Sequence, residues 1–296
     1  MKSSGPLADG LIEELSEFAA FRDWRAGKIT REQYIDGLMA QAAQIEASIG
    51  PRNLRLLAAR YPSDFDRQAD EFFATLRSEG FLSDHPPVAP FEAFRERVRA
   101  AYDHGEHRTA IQPDEARLLY LISMALRPRR MIAIGSYYGY WAVWAMPGVV
   151  AGDGQAILMD PNAAVCALAE RNFKALGLGD RTSVIAKKAE EVFDEWAPGS
   201  LDLVLLDANG GRDSPAAYRG KGIYAFMARG VYEKMREGAL LVAHNDYLPG
   251  VGDNRLSHDF VERLSRPIAD FHAFCDGHFR RRRVLATPDG FGVYQK

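Results

Sequence analysis

The chain has 296 residues, 47% hydrophobic and 26% charged, with a formal net charge of -3; such a chain closes a core without disulfides or structural metal and has no bulk affinity for nucleic acid. Its two cysteines, Cys166 and Cys275, stand in no metal-ligand spacing, which excludes a cysteine-built zinc site and fits a reducing compartment. The opening stretch has no signal-peptide core and no run reaches bilayer length, so a cytoplasmic protein without a membrane partner is expected.

Residues 1–108 read as helical. Leu11, Leu15 and Phe18 fall at helical spacing, as do Tyr34, Leu38 and Ala42, then Phe72 and Leu76, then Phe91, Phe94 and Val98. Pro51, Pro62 and the group Pro86, Pro87 and Pro90 punctuate these stripes. Four or five helices are expected to pack on the rest of the chain, serving as a substrate lid or a dimer surface.

From residue 109 the texture changes. A helix over 114–126 leads into RPRRMIAIG, an apolar strand that ends on Gly135. Strands are expected at 154–160, 182–187, 201–207 and 239–244, alternating with helices at 163–175, 189–196, 224–236 and 257–264. The closing segments ADFHAFCDG (269–277) and RRVLATPDGFGVYQK (282–296) read as two antiparallel strands. The basic run at 280–283 reads as a solvated strand entrance. Alternating units of this kind build a doubly wound, mostly parallel sheet with an antiparallel edge. The expected fold is therefore a Rossmann-like α/β domain over 109–296, preceded by an α-helical extension.

The loop AIGSYYGYW (133–141) occupies the nucleotide corner of such a sheet. A dinucleotide fold needs a second glycine two residues after the first, so that backbone approaches the pyrophosphate. Tyr137 stands there instead. S-adenosylmethionine (SAM) carries no phosphate and tolerates the bulk. Asp160, closing the next strand, can accept both hydroxyls of a ribose. NAD shares the ribose, and Tyr137 is what disfavours an NAD-dependent oxidoreductase.

The segments IAIGSYYGYWAV, ILMDPNAAV, LDLVLLDAN and GALLVAHNDYLPG, with TAIQPDEARLL (109–119) before them, resemble the class I SAM-dependent O-methyltransferases of the catechol and caffeoyl-CoA type. The resemblance covers roughly 109–296 and implies a seven-stranded sheet of order 3-2-1-4-5-7-6. It implies that Gly135, Ser136, Tyr138 and Gly139 line the methionine end of SAM and its loop. Asp160 would hold the ribose, Ala189 and Glu190 would meet the adenine, and Asp207 would border the cofactor's reacting end. Ala133 departs from the family, which has an acidic residue there, so one contact near the cofactor's polar tail is absent or supplied differently.

Asp207 ends one strand and His244 and Asn245 end the next. As neighbours those ends lie about 5 Å apart, at the edge where open sheets bind ligands. The family holds a divalent cation there, through Asp on the first strand and Asp-Asn on the second, to activate an acceptor hydroxyl. Here His244 replaces the second Asp. Magnesium prefers oxygen ligands, whereas imidazole suits manganese, iron, cobalt, nickel or zinc. Three readings stay open. Asp207, His244 and Asn245 hold a transition metal; or His244 is a general base in a metal-free enzyme; or His244 is structural. Asp246 replaces His244 as ligand if the strand register shifts.

Gly210 stands where catechol-type enzymes carry a catalytic lysine. Arg212 and Lys221, on the long glycine-rich loop 209–222, are candidate replacements, set against a plain reading as exposed charges. Tyr137, Tyr138, Tyr140 and Trp141 either wall the transfer site or pack helix on sheet. His104, His107, His258, His272 and His278 share no spacing and read as surface or satisfied core residues. The expected function is SAM-dependent methylation of an oxygen on a small aromatic or secondary-metabolite acceptor, by a homodimer with no nucleic-acid or membrane partner. Its rivals are metal-free N-methylation or aminocarboxypropyl transfer with His244 as base, and a SAM-binding subunit without transfer chemistry.

Overall fold

Two apolar runs set the centre of the molecule. The strands β1 (Arg130–Ile134) and β4 (Leu201–Leu206) bury every residue except Arg130, as parallel strands covered on both faces must. They lie side by side, with Ile134 level with Leu206. Around them pack β2 (Gln155–Met159), β3 (Thr182–Ile185), β5 (Met235–His244), β6 (Arg281–Leu285) and β7 (Phe291–Gln295). The order is β3-β2-β1-β4-β5-β7-β6, as the resemblance implies. Only β7 runs antiparallel to its neighbours β5 and β6. The winding reverses between β1 and β4, and the crevice at their carboxyl ends is where such sheets take ligands.

This computed structural model describes residues 16–29, 31–41, 43–45, 47, 65–83, 89–107, 111–249, 251, 262, 265–285, 287 and 289–296. Leu11, Leu15, Ala42, Pro51, Pro62, Pro86, Pro87, His258 and nearly all of the helix expected at 257–264 lie outside them. Among the described residues, no helix is long and apolar enough to cross a membrane.

The helical stripes of the first hundred residues form α1 (Ala19–Arg25), α2 (Arg31–Ala40), α3 (Phe65–Ser78) and α4 (Ala89–Ala101). Phe73, Leu76, Phe91, Phe94 and Val98 enter the same apolar cluster as Met131 and Ala133 of β1. Between them and the sheet runs α5 (Pro113–Leu126), whose start carries Pro at its first position. Glu115 accepts the Gln112 backbone N–H at 3.1 Å, a reciprocal cap that closes the helix end. Arg117, buried on α5, pairs with Asp70 and Glu92 and so ties α3 and α4 to it. Further on come α6 (Met146–Ala151), α7 (Ala163–Ala175), α8 (Tyr224–Tyr232) and α9 (Ala269–His278). The opposite face of the sheet packs against α8 and α9.

Several expected elements change. ADFHAFCDG is helix α9, not a strand, because Ile268, Phe271, His272 and Cys275 are buried together while Ala273 is exposed. That is a helical face with spacing 3 and 4. Both closing strands come from the final segment instead, as the β6–β7 hairpin. The helix expected at 189–196 is two 3-10 turns, Ala189–Glu191 and Phe193–Glu195. The helix expected to reach 236 stops at Tyr232, since Met235 already pairs with Leu201. Arg281, Arg282 and Arg283 are paired with Gln295, Asp276 and Glu79, respectively, so the basic run guards an edge strand.

Asp246 does not take the place of His244. The register pairs His244 with Phe291 and carries Asp246 into the core, where it is fully buried. There its carboxylate accepts the Tyr294 hydroxyl at 2.5 Å and lies 2.6 Å from His272 Nε2.

Candidate active site

The loop after β1 is shaped by two close approaches. Gly135 has φ +73, and a Cβ there would lie 2.5 Å from Ala208 Cα. Glycine thus lets the loop cross the end of β4. Gly139 has φ +85, and a Cβ there would lie 2.6 Å from the Phe173 ring and 3.1 Å from the Tyr102 hydroxyl; its bareness admits those rings. The Tyr137 N–H donates to Asp160 Oδ2 at 3.1 Å, and the Asn162 N–H to Oδ1 at 2.9 Å. Each Asp160 oxygen keeps capacity for another donor, as a ribose diol needs. Burial holds the Asp160 carboxyl above the ordinary carboxylate range, against those two backbone bonds.

A cavity opens at this point, lined by Gly135, Ser136, Tyr137, Tyr140, Trp141 and Asp207 among others. Tyr138 also borders it, although its ring is buried. Ala189 and Glu190 lie on the turn after β3, two strands from β1. Ala189 is packed in the core and Glu190 is half-buried.

Asp207, at the end of β4, lies between two cationic groups. On one side is the Lys221 ammonium, bonded to Oδ1 and 3.3 Å from the Asp207 carbonyl oxygen. On the other is His244 at the end of β5, with Nδ1 3.2 Å from Oδ2. The second ring nitrogen of His244 lies 3.2 Å from Glu115 Oε2. Glu115 is fully buried, and its Oε1 accepts the Thr287 hydroxyl at 2.7 Å. Burial alone would lower the pKa of His244, but the Asp207 and Glu115 carboxylates outweigh it and raise it to about 10. Burial alone would raise the pKa of Asp207, but Lys221 and His244 bring it down to about 2. Burial likewise opposes ionisation of Glu115, and the imidazolium still holds its carboxyl below the usual range. The arrangement is a carboxylate–imidazolium–carboxylate chain, with the lysine at its outer end.

Lys221 arrives from the far end of the loop 209–222. Gly210 and Gly220 exchange backbone hydrogen bonds of 2.8 and 3.0 Å, pinching the loop shut. A Cβ at Gly210 would lie 1.6 Å from the Tyr218 carbonyl oxygen. No side chain fits there, a lysine included, and the pinch delivers Lys221 to the same aspartate.

Asn245 takes φ +55, and its amide donates to the Asp289 carbonyl at 3.2 Å. Glu115, His244 and Asp289 each offer a ligand atom within 4.8 Å of one another. A divalent ion nevertheless does not fit this donor set as arranged. Ligand histidines need a ring nitrogen available, whereas both His244 nitrogens already face carboxylates, Asp207 and Glu115. In the expected Asp207, His244 and Asn245 set, the Lys221 ammonium already bonds Asp207 Oδ1 and the Asn245 amide is turned to the Asp289 carbonyl.

The sequence pointed to Asp207, His244, Gly135 and Ser136; Gly135, Ser136 and Asp207 line one cavity, and His244 is buried against Asp207. It did not point to Glu115, whose only trace is the Gln-Pro-Asp-Glu helix start. His104 and His107 read as unremarkable, yet His104 Nδ1 lies 2.9 Å from the Tyr138 hydroxyl and His107 Nδ1 lies 2.7 Å from that of Tyr137. No spacing could reveal a contact across 30 residues. His272 is the satisfied core histidine expected of it.

Comparison with known proteins agrees with this geometry. Residues 132–245 match a family described as a methyltransferase domain. The chain is 28% identical over 120 residues to a catechol O-methyltransferase of Mycobacterium tuberculosis, a match spanning 40% of this chain and 53% of that protein. It is 26% identical to a Mycobacterium leprae protein carrying an O-methyltransferase name, over 69% of this chain and 83% of that one. The fold is shared with an O-methyltransferase of tomaymycin synthesis from Streptomyces achromogenes, solved with SAM. That likeness has a TM-score of 0.51 and 16% identity, covering 80% of this chain and 98% of the other. Residues 132–245 are thus similar to a methyltransferase domain, in a fold that the chain shares with a SAM-bound O-methyltransferase.

Proposed function

We propose that the protein methylates a hydroxyl oxygen of a small aromatic acceptor bound against Asp207 and Lys221, and does so without a divalent ion. One observation carries the reading: a lysine ammonium and an oriented carboxylate stand together where the cavity meets the end of β4. Bound SAM supplies an electrophilic methyl on a positively charged sulfur. The residues of this chain prepare the other partner. The Lys221 ammonium donates a hydrogen bond to the acceptor oxygen and stabilises its negative charge, and the hydroxyl proton is released to solvent. Asp207 fixes the ammonium, and the Glu115–His244 pair fixes Asp207. As the new C–O bond forms, the C–S bond breaks with its electrons left on sulfur. A preorganised charge pair supplies this help with little reorganisation.

His244 is then neither ligand nor base. Its ring is buried with both nitrogens engaged, which keeps it from the acceptor. The test is transfer from labelled SAM to a panel of catechols and monophenols, with and without a strong chelator. Methylated product at unchanged rate in chelator is expected. Activity that vanishes with chelator and returns with added metal would overturn the metal-free reading. Lys221→Met should lower kcat by on the order of 100-fold, the scale of losing one donor to a developing anion, while SAM affinity stays.

A further inference from the structure

Tyr137 is the one non-glycine residue of the cofactor loop in left-handed backbone, at φ +51. A bulky side chain pays for that conformation, so its surroundings must hold it. They do so from a segment that precedes the α/β unit. Asn172 of α7, itself buried, grips Asp103 by both backbone groups, each at 2.8 Å. From that anchor three side chains reach the loop. The Tyr102 hydroxyl donates to the Tyr138 carbonyl at 2.7 Å, and His104 meets the Tyr138 hydroxyl. His107 meets the Tyr137 hydroxyl and stacks on the Tyr138 ring, 5.5 Å between centroids and 24° between planes. All of these contacts land on the two residues between Ser136 and Gly139. The same Tyr137 gives its N–H to Asp160 and lines the cavity.

We propose that His107 is a positioning residue of the cofactor site: through the Tyr137 hydroxyl it holds the loop in the conformation that binds SAM and its demethylated product. Residues 102–107 thus belong to the site although they lie outside the nucleotide fold. The inference rests on the reading of this crevice as the SAM site. A hydrogen bond of this kind is worth a few-fold to about tenfold in affinity.

The experiment is calorimetric titration of S-adenosylhomocysteine into wild type, His107→Ala, Tyr137→Phe, the double variant and His107→Asn. Each of the first two single variants should weaken binding about 2- to 10-fold. The double variant should be no weaker than either, because both remove one bond. His107→Asn, whose amide keeps a hydrogen-bonding atom near the Nδ1 position, should recover much of the loss. Melting of the ligand-free variants should stay close to wild type, since Tyr137 is largely exposed. Wild-type binding that survives in both single variants, or losses that multiply in the double, would overturn the role of His107. A wild type that binds neither the product nor SAM would overturn the cofactor reading itself, and this proposal with it.

Discussion

Asp207, His244 and Glu115 show how a single replacement alters the chemistry available at a fixed place in a fold. An aspartate at position 244 would add negative charge beside Asp207 and call for an ion. A histidine between two carboxylates takes a proton instead. The linkage has a definite sign. His244 is held at about 10, above its unfolded value near 6.5, so its contribution is full below pH 6.5 and drains as pH rises through 10. Asp207 is held at about 2, so its contribution is present above roughly pH 4 and is lost as pH falls toward 2. Glu115→Gln removes one of the two carboxylates that hold the proton on His244. It should cost about 3 kcal/mol at pH 7, the scale for breaking a buried pair, and flatten the alkaline decline. Urea unfolding at steps from pH 6 to 10 measures both; a variant with the wild-type slope would show that His244 draws its proton from elsewhere.

At the scale of elements, the loop 209–222 matters more than its composition suggests. A glycine where a lysine was expected reads as a lost function. In the fold it is the condition for a lysine to arrive from eleven residues further on, because the Gly210–Gly220 pinch turns Lys221 back onto Asp207. Gly210→Ala should therefore mimic Lys221→Met, with transfer reduced and SAM binding kept, whereas Gly210→Lys should fail to restore a Lys221→Met enzyme. Steady-state rates beside SAM titrations would check this, and an active Gly210→Ala protein would contradict it. The strands were legible because MIAI and, after Asp202, LVLL are apolar without interruption, a pattern set by burial on both faces. Helix α9 was not, because in ADFHAFCDG the apolar residues satisfy a period of two as well as a helical face, and only packing against α8 decides. The site was legible where motif and strand end coincide, at Gly135, Asp160 and Asp207. It was illegible at Glu115, His104 and His107, whose roles come from tertiary contact.

The whole molecule joins the helical region to the sheet more closely than the change in sequence texture at residue 109 suggests. Phe91 packs on Tyr120 at 5.1 Å and on Trp144 at 6.1 Å, and Phe94 meets Trp144 edge-on at 5.9 Å. Aromatic contacts of this kind carry large burial, and here they join α4, α5 and the segment after the cofactor loop into one cluster. Arg117 adds charge pairing between the same elements, with its guanidinium over the Phe91 ring at 5.2 Å. Residues 65–101 should therefore unfold with the sheet in a single transition, seen alike by tryptophan fluorescence and circular dichroism. A chain begun at residue 109 would expose the faces of Tyr120 and Trp144 that Phe91 and Phe94 now cover. It should bind a hydrophobic dye, associate on size exclusion and lose affinity for S-adenosylhomocysteine, since His107 goes with the deleted part. A monomeric fragment that melts cooperatively and binds the product as the full chain does would show that the sheet stands alone.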